Sequence, residues 1–394
     1  MTNAVKYIHR EKSDLTSSDV SLFSHDAVIS AKIFHESFPN YSPTPLVSLN
    51  ALSARLGVKN IFVKDESYRF GLNAFKSLGA SYAIGRFIAK RVGLDTADLT
   101  YSKLTSQAVK DKLGSLTFVT ATDGNHGRAV AWAAKLLGQR AVVYMPKGSC
   151  RERFEAIKAL GADVTITDLN YDDAVRLANK TAEENGWVTV QDTAWDGYEE
   201  IPTYIMQGYT TIAQESCNQL CGVKPTHIFL QAGVGAFAGA MIGYFANEYK
   251  DSLPIFTVVE PNAADCCYQS ALANDGDRRF VKGDMNTIMA GLACGEPNTI
   301  AWKIINAYAD NFISLPDEAA ARAMRVLGNP LAGDERIISG ESGGAGIAAF
   351  YAAMTQKELA DLKHKLRIDN NSVLLFVNTE GNTDEENYRK IVWC

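Results

Sequence analysis

The sequence offers few features of an exported, membrane-bound or nucleic-acid-binding protein. Its apolar runs fall well short of the roughly 18 residues that a membrane span needs, so a membrane protein is not expected. The opening residues, MTNAVKYIHREKSDL, hold no apolar stretch of a secretory signal, which favours a cytoplasmic location. The net charge is -6 and no basic cluster occurs, which argues against a nucleic-acid partner.

The sequence also lacks the spacings typical of metal sites and catalytic triads. An odd number of cysteines, seven, spread along the chain predicts mainly reduced thiols. Cys217 and Cys221 stand one helical turn apart without a second pair of ligands, so no metal site is predicted. Cys266, Cys267 and Cys294 fall in stretches that are predicted to be loops. The histidines show no pairing with a nucleophile, which disfavours a triad hydrolase.

The length and patterning of the chain predict two α/β domains. A chain of 394 residues exceeds the roughly 250 to 300 at which one core stops growing. From Thr117 onward, short β-branched runs such as TFVTAT, RAVVYM and WVTVQD alternate with amphipathic helices, which indicates a doubly wound parallel sheet. A second set follows, with strands HIFLQA, IFTVVE and SVLLFVNT. We predict a small inserted domain over residues 86–204, a large domain over residues 1–85 and 205–394, and a site in the cleft between them.

Residues 71–79, GLNAFKSLG, place Lys76 at the start of a predicted helix for which Asn73 is the expected N-cap. The positive end of the helix dipole disfavours a cation there and helps the lysine lose its proton. Only a neutral amine can attack an aldehyde and form a Schiff base. A solvated helix lysine would have the same spacing, so this pattern alone leaves both interpretations open.

A glycine loop, GVGAFAG, joins strand HIFLQA to the next helix. Free N-H groups at such a helix start favour an anion such as phosphate. The loop also fits the G-x-G-x-x-A dinucleotide fingerprint at Gly233, Gly235 and Ala238, with Glu260 near the expected place of a ribose-binding acid. A nicotinamide-dependent dehydrogenase and a simple tight turn therefore remain alternatives.

Pyridoxal phosphate accounts for more of the chain than a nicotinamide does, since the dehydrogenase hypothesis leaves Lys76 without a role. Lys76 would hold the aldehyde and the glycine loop the phosphate. Asn125, in TDGNHG, could reach the phenolic oxygen, and Thr379, in NTEG, the ring nitrogen. Each could instead be a helix cap or a strand-ending turn. A non-catalytic α/β binding protein is a third alternative.

Four segments in order, SYRFGLNAFKSLGA, ATDGNHGRAVAWAA, QAGVGAFAGA and the final TEG loop, resemble the fold-type II pyridoxal phosphate enzymes. From about Ser42 onward the chain is most similar to their diaminopropionate ammonia-lyase subgroup, through YMPKGS, VQDTAW, RIISGESG and VNTEGNTDEENYRKIVW. The resemblance implies a tryptophan synthase β-like architecture, a homodimer and pyridoxal 5'-phosphate in the cleft. It also implies cofactor contacts from Gly233, Val234, Gly235 and Ala236.

The resemblance further implies an α,β-elimination of ammonia from D- and L-2,3-diaminopropionate, through a Lys76 Schiff base and aminoacrylate, giving pyruvate and two ammonia. Asp123 stands where threonine dehydratases have a small residue, and Asp192 ends strand WVTVQD. These carboxylates suit a second ammonium group on the substrate. We expect Lys76 to take the α-proton of the L-isomer and Asp123 that of the D-isomer. Glu341, in SGESGGAG, is a further substrate-binding candidate, whereas His126 is expected to pack beneath its helix.

Overall fold

The structure, a computed structural model, describes residues 4–11, 18 and 20–393. Its strands are β1 (Lys6–His9), β2 (Leu46–Ser48), β3 (Asn60–Asp65), β4 (Thr117–Ala121), β5 (Arg140–Met145), β6 (Asp163–Ile166), β7 (Val188–Thr189), β8 (His227–Gln231), β9 (Ile255–Pro261), β10 (Asn311–Leu315) and β11 (Val373–Asn378). Helices in the first half are α1 (His25–Glu36), α2 (Asn50–Leu56), α3 (Lys76–Val92), α4 (Tyr101–Leu104), α5 (Gln107–Leu113), α6 (Asn125–Leu136), α7 (Arg151–Lys158) and α8 (Tyr171–Asn185). Those in the second half are α9 (Glu200–Gln219), α10 (Ala236–Glu248), α11 (Cys266–Ala273), α12 (Thr299–Tyr308), α13 (Asp317–Gly328), α14 (Ala345–Thr355), α15 (Ala360–Lys365) and α16 (Glu385–Trp393).

The larger sheet has the strand order β1-β10-β9-β8-β11-β3-β2. Its five inner strands are parallel and β8, β10 and β11 are buried along their whole length, as expected for a sheet covered by helices on both faces. The edge strands β1 and β2 run antiparallel, and the β-branched pattern did not predict them because they are only four and three residues long. The predicted α/β fold with doubly wound sheets is confirmed.

The smaller sheet has the order β6-β5-β4-β7, and all of its strands are parallel. Strand β7 covers two residues, Val188 and Thr189, rather than the whole run WVTVQD. The backbone N-H of Val190 still donates to the carbonyl of Val119, so the chain stays beside β4 up to that residue. The segment that holds Asp192 then leaves the sheet at its carboxyl edge.

Helices α3 and α9 pack very closely because glycines stand at their crossing. A Cβ on Gly79 would come within 2.6 Å of the Tyr209 ring, and one on Gly208 within 2.6 Å of the Leu78 carbonyl oxygen. Both helices run through the predicted domain boundaries at residues 85 and 204, so the division into residues 86–204 and the rest stays a prediction. None of the helices in the described part of the chain combines the length and apolar character that crossing a membrane requires.

A buried ionic cluster fastens the segment between β3 and α3 to α9. Lys64 Nζ lies 2.5 Å from Glu215 Oε2, and the guanidinium of Arg69 lies 2.8 Å from both Glu215 and Glu66. All four side chains are almost completely buried, and the two cations balance the two carboxylates. Removing one partner would leave an unpaired buried charge, so the cluster fixes the path of the chain toward Lys76.

The substitution Gly208→Ala tests the close packing of α3 on α9. The added methyl would overlap the backbone of α3, and this overpacking outweighs the roughly 1 kcal/mol that alanine gains over glycine in a helix. We expect a loss of about 1 to 3 kcal/mol in the free energy of unfolding, measured by urea denaturation. Gly328→Ala is the matched control, because its Cβ would meet only the Tyr388 hydroxyl, at 3.2 Å, and Val392 beyond it. Equal stability of the two variants would refute the packing argument.

Candidate active site

One cavity lies at the carboxyl ends of strands from both sheets. Glycine loop residues follow β8, Thr379 follows β11, Asn125 follows β4 and Asp192 follows β7. The cavity is lined by the predicted residues Lys76, Asn125, Asp192, Gly233, Val234, Gly235, Ala236 and Thr379. The structure therefore brings together side chains from distant parts of the sequence at the carboxyl ends of strands of both sheets, where open α/β folds bind their ligands.

Lys76 is the first residue of α3, as the sequence predicts, but Asn73 is not the N-cap. Phe75 occupies that position, and Asn73 adopts a left-handed backbone conformation with φ of 56°. The backbone N-H of Phe75 donates to the carbonyl of Thr379 at 3.1 Å, and that of Gly381 donates to the carbonyl of Asn73 at 3.0 Å. Backbone pairing with the loop after β11 thus sets the start of the helix, which no local capping pattern could predict.

Lys76 Nζ lies 2.5 Å from Asp192 Oδ2, and both side chains are largely buried. Burial alone would lower the pKa of Lys76, but Asp192, together with Tyr209 and Asp123, outweighs burial and raises the pKa above its ordinary value. Burial would likewise raise the pKa of Asp192, whereas Lys76 holds it below its usual range. The expectation that the helix dipole helps Lys76 lose its proton is therefore wrong for this arrangement, since a contacting carboxylate is stronger than a helix end.

His126 belongs to α6, and its side chain packs on the buried side of that helix, against the segment that leads from β7 to Asp192. Its Nε2 lies 2.8 Å from the carbonyl of Val190, which fixes the ring, and its Nδ1 lies 3.9 Å from Asp192 Oδ2. Burial lowers the pKa of His126, so the ring stays neutral at ordinary pH. The Tyr171 hydroxyl approaches the other oxygen of Asp192 at 3.4 Å. Asp192 is thus oriented by residues on two helices, and sequence reasoning missed Tyr171.

The glycine loop presents the start of α10 to the cavity. Gly235 is the N-cap residue with φ of 90°, and among the described residues no side chain caps this helix start. A Cβ on Gly233 would lie 3.1 Å from Cys294 Sγ, so the backbone passes closely beneath the opposite loop. A helix start with exposed N-H groups and no side-chain acceptor suits a phosphate dianion.

Glu260 does not serve as a ribose-binding acid. It is completely buried, and its two carboxylate oxygens accept the backbone N-H groups of Cys267 and Tyr268 at 2.8 and 2.7 Å. Burial raises the pKa of Glu260 to about 8, against the lowering effect of these two hydrogen bonds. Cys266 and Cys267 lie on helix α11 rather than in a loop, so that prediction is wrong, and Glu260 caps the start of their helix. This removes the acid that the dinucleotide alternative requires.

Thr379 is held by Gln231, the last residue of β8. Gln231 Nε2 donates to the carbonyls of Gly343 and Val377 at 2.8 and 2.9 Å and lies 2.9 Å from Thr379 Oγ1. An amide nitrogen carries two hydrogens, which three oxygens share here, and it cannot accept, so the Thr379 hydroxyl keeps its own hydrogen for a group in the cavity. Gln231 was missed because the sequence gives no sign that the end of β8 faces the turn after β11.

The cavity also holds buried polar atoms that suit a polar heterocycle. Gln231 Oε1 and the Tyr209 hydroxyl find no hydrogen-bond partner within residues 4–11, 18 and 20–393, and both residues line the cavity. Asn125 Nδ2 donates to Glu380 Oε2, so the amide predicted to meet a phenolic oxygen points at the cavity wall. Together with a lysine and an uncapped helix start, these groups fit pyridoxal phosphate.

Asp123 and Glu341 line a second cavity beside the first rather than the first itself. Asp123 Oδ2 lies 3.8 Å from the Cβ position of Gly291, a residue that lines the first cavity, so the two cavities are adjacent. Burial raises the pKa of Asp123, although Arg153 and Lys76 oppose this shift. Burial and the nearby Glu380 raise the pKa of Glu341 to about 7.

Comparisons with known proteins agree with this geometry. The family described as pyridoxal-phosphate dependent enzyme matches residues 38–377. The diaminopropionate ammonia-lyase of Salmonella typhimurium is 51% identical over 388 residues, covering 98% of this chain and 96% of that protein. The crystal structure of the selenomethionine-labelled holo diaminopropionate ammonia lyase from Escherichia coli superposes with a TM-score of 0.93 at 47% identity, covering 100% of this chain and 97% of that one. The same Escherichia coli enzyme in complex with an aminoacrylate-PLP azomethine reaction intermediate gives a TM-score of 0.90 at 46% identity, covering 99% and 97%. The chain therefore belongs to the pyridoxal-phosphate dependent enzymes and, within them, to the diaminopropionate ammonia-lyases, which are carbon-nitrogen lyases.

Proposed function

We propose that this chain eliminates ammonia from both the D- and the L-isomer of 2,3-diaminopropionate, using pyridoxal 5'-phosphate bound in the first cavity. The observation that carries the proposal is the arrangement of Lys76 in contact with Asp192, next to a cavity with Asp123. An elimination needs a base for the α-proton and a group that keeps the leaving amine protonated, and these three residues would supply both within one site.

The cofactor would be held at four points. The start of α10, from Gly233 to Ala236, would bind the phosphate, and Lys76 would bond to the aldehyde carbon. The Thr379 hydroxyl would donate to the ring nitrogen, and Asn125 would meet the phenolic oxygen. When bound, pyridoxal phosphate supplies an electron-withdrawing ring that makes the α-proton of an attached amino acid acidic.

Lys76 and Asp123 would take the α-proton from opposite sides of the substrate. Lys76 Nζ, once neutral and not bonded to the cofactor, would serve as the base for the L-isomer. Asp123 approaches from the second cavity, at the end of a different strand, and would serve the D-isomer. A base placed in this way typically contributes about 10²- to 10⁴-fold to the rate.

The β-amino group must leave as ammonia, because an amide anion is too basic to leave near neutral pH. Asp192, whose pKa lies below its usual range, stays ionised and would keep the second ammonium protonated until the carbon-nitrogen bond breaks. Asp123 and Glu341 add carboxylates on the side of the second cavity. The enamine that is released hydrolyses in water to pyruvate and a second ammonia.

The family resemblance also supports two further parts of the proposal, the oligomeric state and the location in the cell. We propose that the chain works as a homodimer in the cytoplasm. Sedimentation-velocity centrifugation of the purified protein is expected to give about twice the 42.9 kDa mass of one chain, and a monomer that is fully active would refute the homodimer.

The substitution Lys76→Ala tests the proposed cofactor lysine. The variant is expected to lose the visible absorption band of the bound cofactor and turnover of both isomers by at least about 10³-fold, since it loses both the bond to the cofactor and one base. Lys90→Ala, on the exposed face of the same helix, is the matched control and should keep both properties. A Lys76→Ala protein that is folded by circular dichroism and keeps the band would contradict the assignment.

The substitution Asp123→Asn tests the two-base proposal. It keeps the shape of the side chain but removes the base, so we expect turnover of the D-isomer to fall by about 10²-fold or more and that of the L-isomer by clearly less. The measurement is kcat for each isomer by pyruvate formation. Asp163→Asn, at an exposed position of β6, is the control for charge loss. Equal losses for the two isomers would refute the assignment of Asp123 as the second base.

A further inference from the structure

Arg153 is a buried arginine that the sequence patterns did not single out. It lies in the first turn of α7, and its side chain is 7% exposed. Its Nη1 lies 3.2 Å from Asp123 Oδ2, and its Nη2 donates to Thr383 Oγ1 at 3.3 Å. The guanidinium therefore joins the loop after β4 to the loop after β11, and it touches only one of the two oxygens of Asp123.

The backbone beside Asp123 is shaped to let Arg153 approach. The side-chain stem of Arg153 lies flat against Gly124, where a Cβ would come within 2.6 Å of Arg153 Cδ. Gly124 also has φ of 157°. This contact limits how far the guanidinium can move away from Asp123, because such a movement would also expose the apolar part of the Arg153 side chain to solvent.

Arg153 is a buried cation in an acidic part of the site, whereas Lys147, which lines the same cavity, is exposed. Burial would lower the pKa of Arg153, but Glu380, Asp123 and Glu341 together raise it, so the guanidinium stays charged. The titratable groups that interact electrostatically with Asp123 include Lys76 on α3, Arg153 on α7, Tyr171 on α8, Cys294 before α12 and Glu380 after β11. Of these, the two cations oppose the effect of burial on Asp123, and Arg153 is the stronger of the two. The charged residues Lys147, Asp284, Glu341 and Asp384 line the same cavity.

We infer that Arg153 is a positioning residue that binds one oxygen of Asp123, keeps this carboxylate ionised and leaves its other oxygen free for the substrate. The inference rests on the proposed role of Asp123 as the base for the D-isomer. Arg153 thereby controls how well the chain uses the D-isomer, while the L-isomer, which depends on Lys76, is affected less. Arg153 thus determines whether the chain uses the D-isomer as well as the L-isomer, and it does so by positioning Asp123 rather than by contacting the reacting atoms.

The test compares holoenzyme variants by the pH dependence of kcat for each isomer. Arg153→Met keeps an apolar stem over Gly124 but removes the charge, so the pKa of Asp123 rises further and less of it is ionised. The acid limb of the D-isomer profile is expected to move up by about 1 pH unit or more, so that turnover of the D-isomer at pH values below both limbs falls about 10-fold, against less than about 3-fold for the L-isomer. Arg153→Lys keeps a charge and should leave the acid limb within about half a unit of wild type. Arg151→Met removes a guanidinium that is 90% exposed on the same helix and is the matched control.

The outcomes separate this inference from the proposed function. Equal losses for both isomers in Arg153→Met, with an unmoved acid limb, would reduce Arg153 to a structural residue and overturn the inference. An acid limb in Arg153→Lys that is displaced as far as in Arg153→Met would overturn it as well. If Arg153→Met does not fold by circular dichroism, Arg153→Gln replaces it as the neutral variant. The proposed function is tested separately, by Lys76→Ala for the cofactor lysine and by Asp123→Asn for the second base.

Discussion

The site depends on the parallel pairing of β3, β11 and β8, because this pairing brings three strand ends to one edge of the larger sheet. Val373 to Asn378 of β11 pair in register with Asn60 to Asp65 of β3, so the turn that holds Thr379 lies beside the segment that leads to Lys76. Backbone hydrogen bonds between these two loops then set where α3 begins. The buried ionic cluster around Glu215 holds the same segment from the other side. A shift of one residue in this register would move Lys76 away from the glycine loop.

Charge is distributed unequally between the two adjacent cavities. In the first, Lys76 and Asp192 neutralise each other, and each changes the pKa of the other in the direction that keeps both charged. The second is lined by two cations, Arg153 and the exposed Lys147, and by four carboxylates, so that negative charge is in excess. An excess of carboxylates is costly to bury unless a cation joins them, which supports a substrate with a second ammonium group. Burial, together with the carboxylate of the nearby Glu380, raises the pKa of Glu341 to about 7.

Several residues near the site were identified only in the structure, and the reason is the same for each. Gln231, Tyr171, Arg153 and Glu380 stand in ordinary strand, helix or loop patterns, and each matters through a partner that is distant in the sequence. Glu260 shows the opposite error, since its position fitted a dinucleotide motif, whereas both of its oxygens are used at the start of α11. Spacing along the chain describes one element at a time, and these contacts join different elements.

The sequence by itself determined the α/β class, most of the strands and helices, the glycine loop and the side chains that fit pyridoxal phosphate, because periodicity and motif spacing are local properties. It also placed Lys76 at the start of a helix. The tertiary structure decided which groups meet: Asp192 with Lys76, Asp123 with Arg153, and Thr379 with Gln231. It also decided the protonation of Lys76, against the local expectation, because the field at a buried amine comes from the nearest charge in space, whatever its position in the chain.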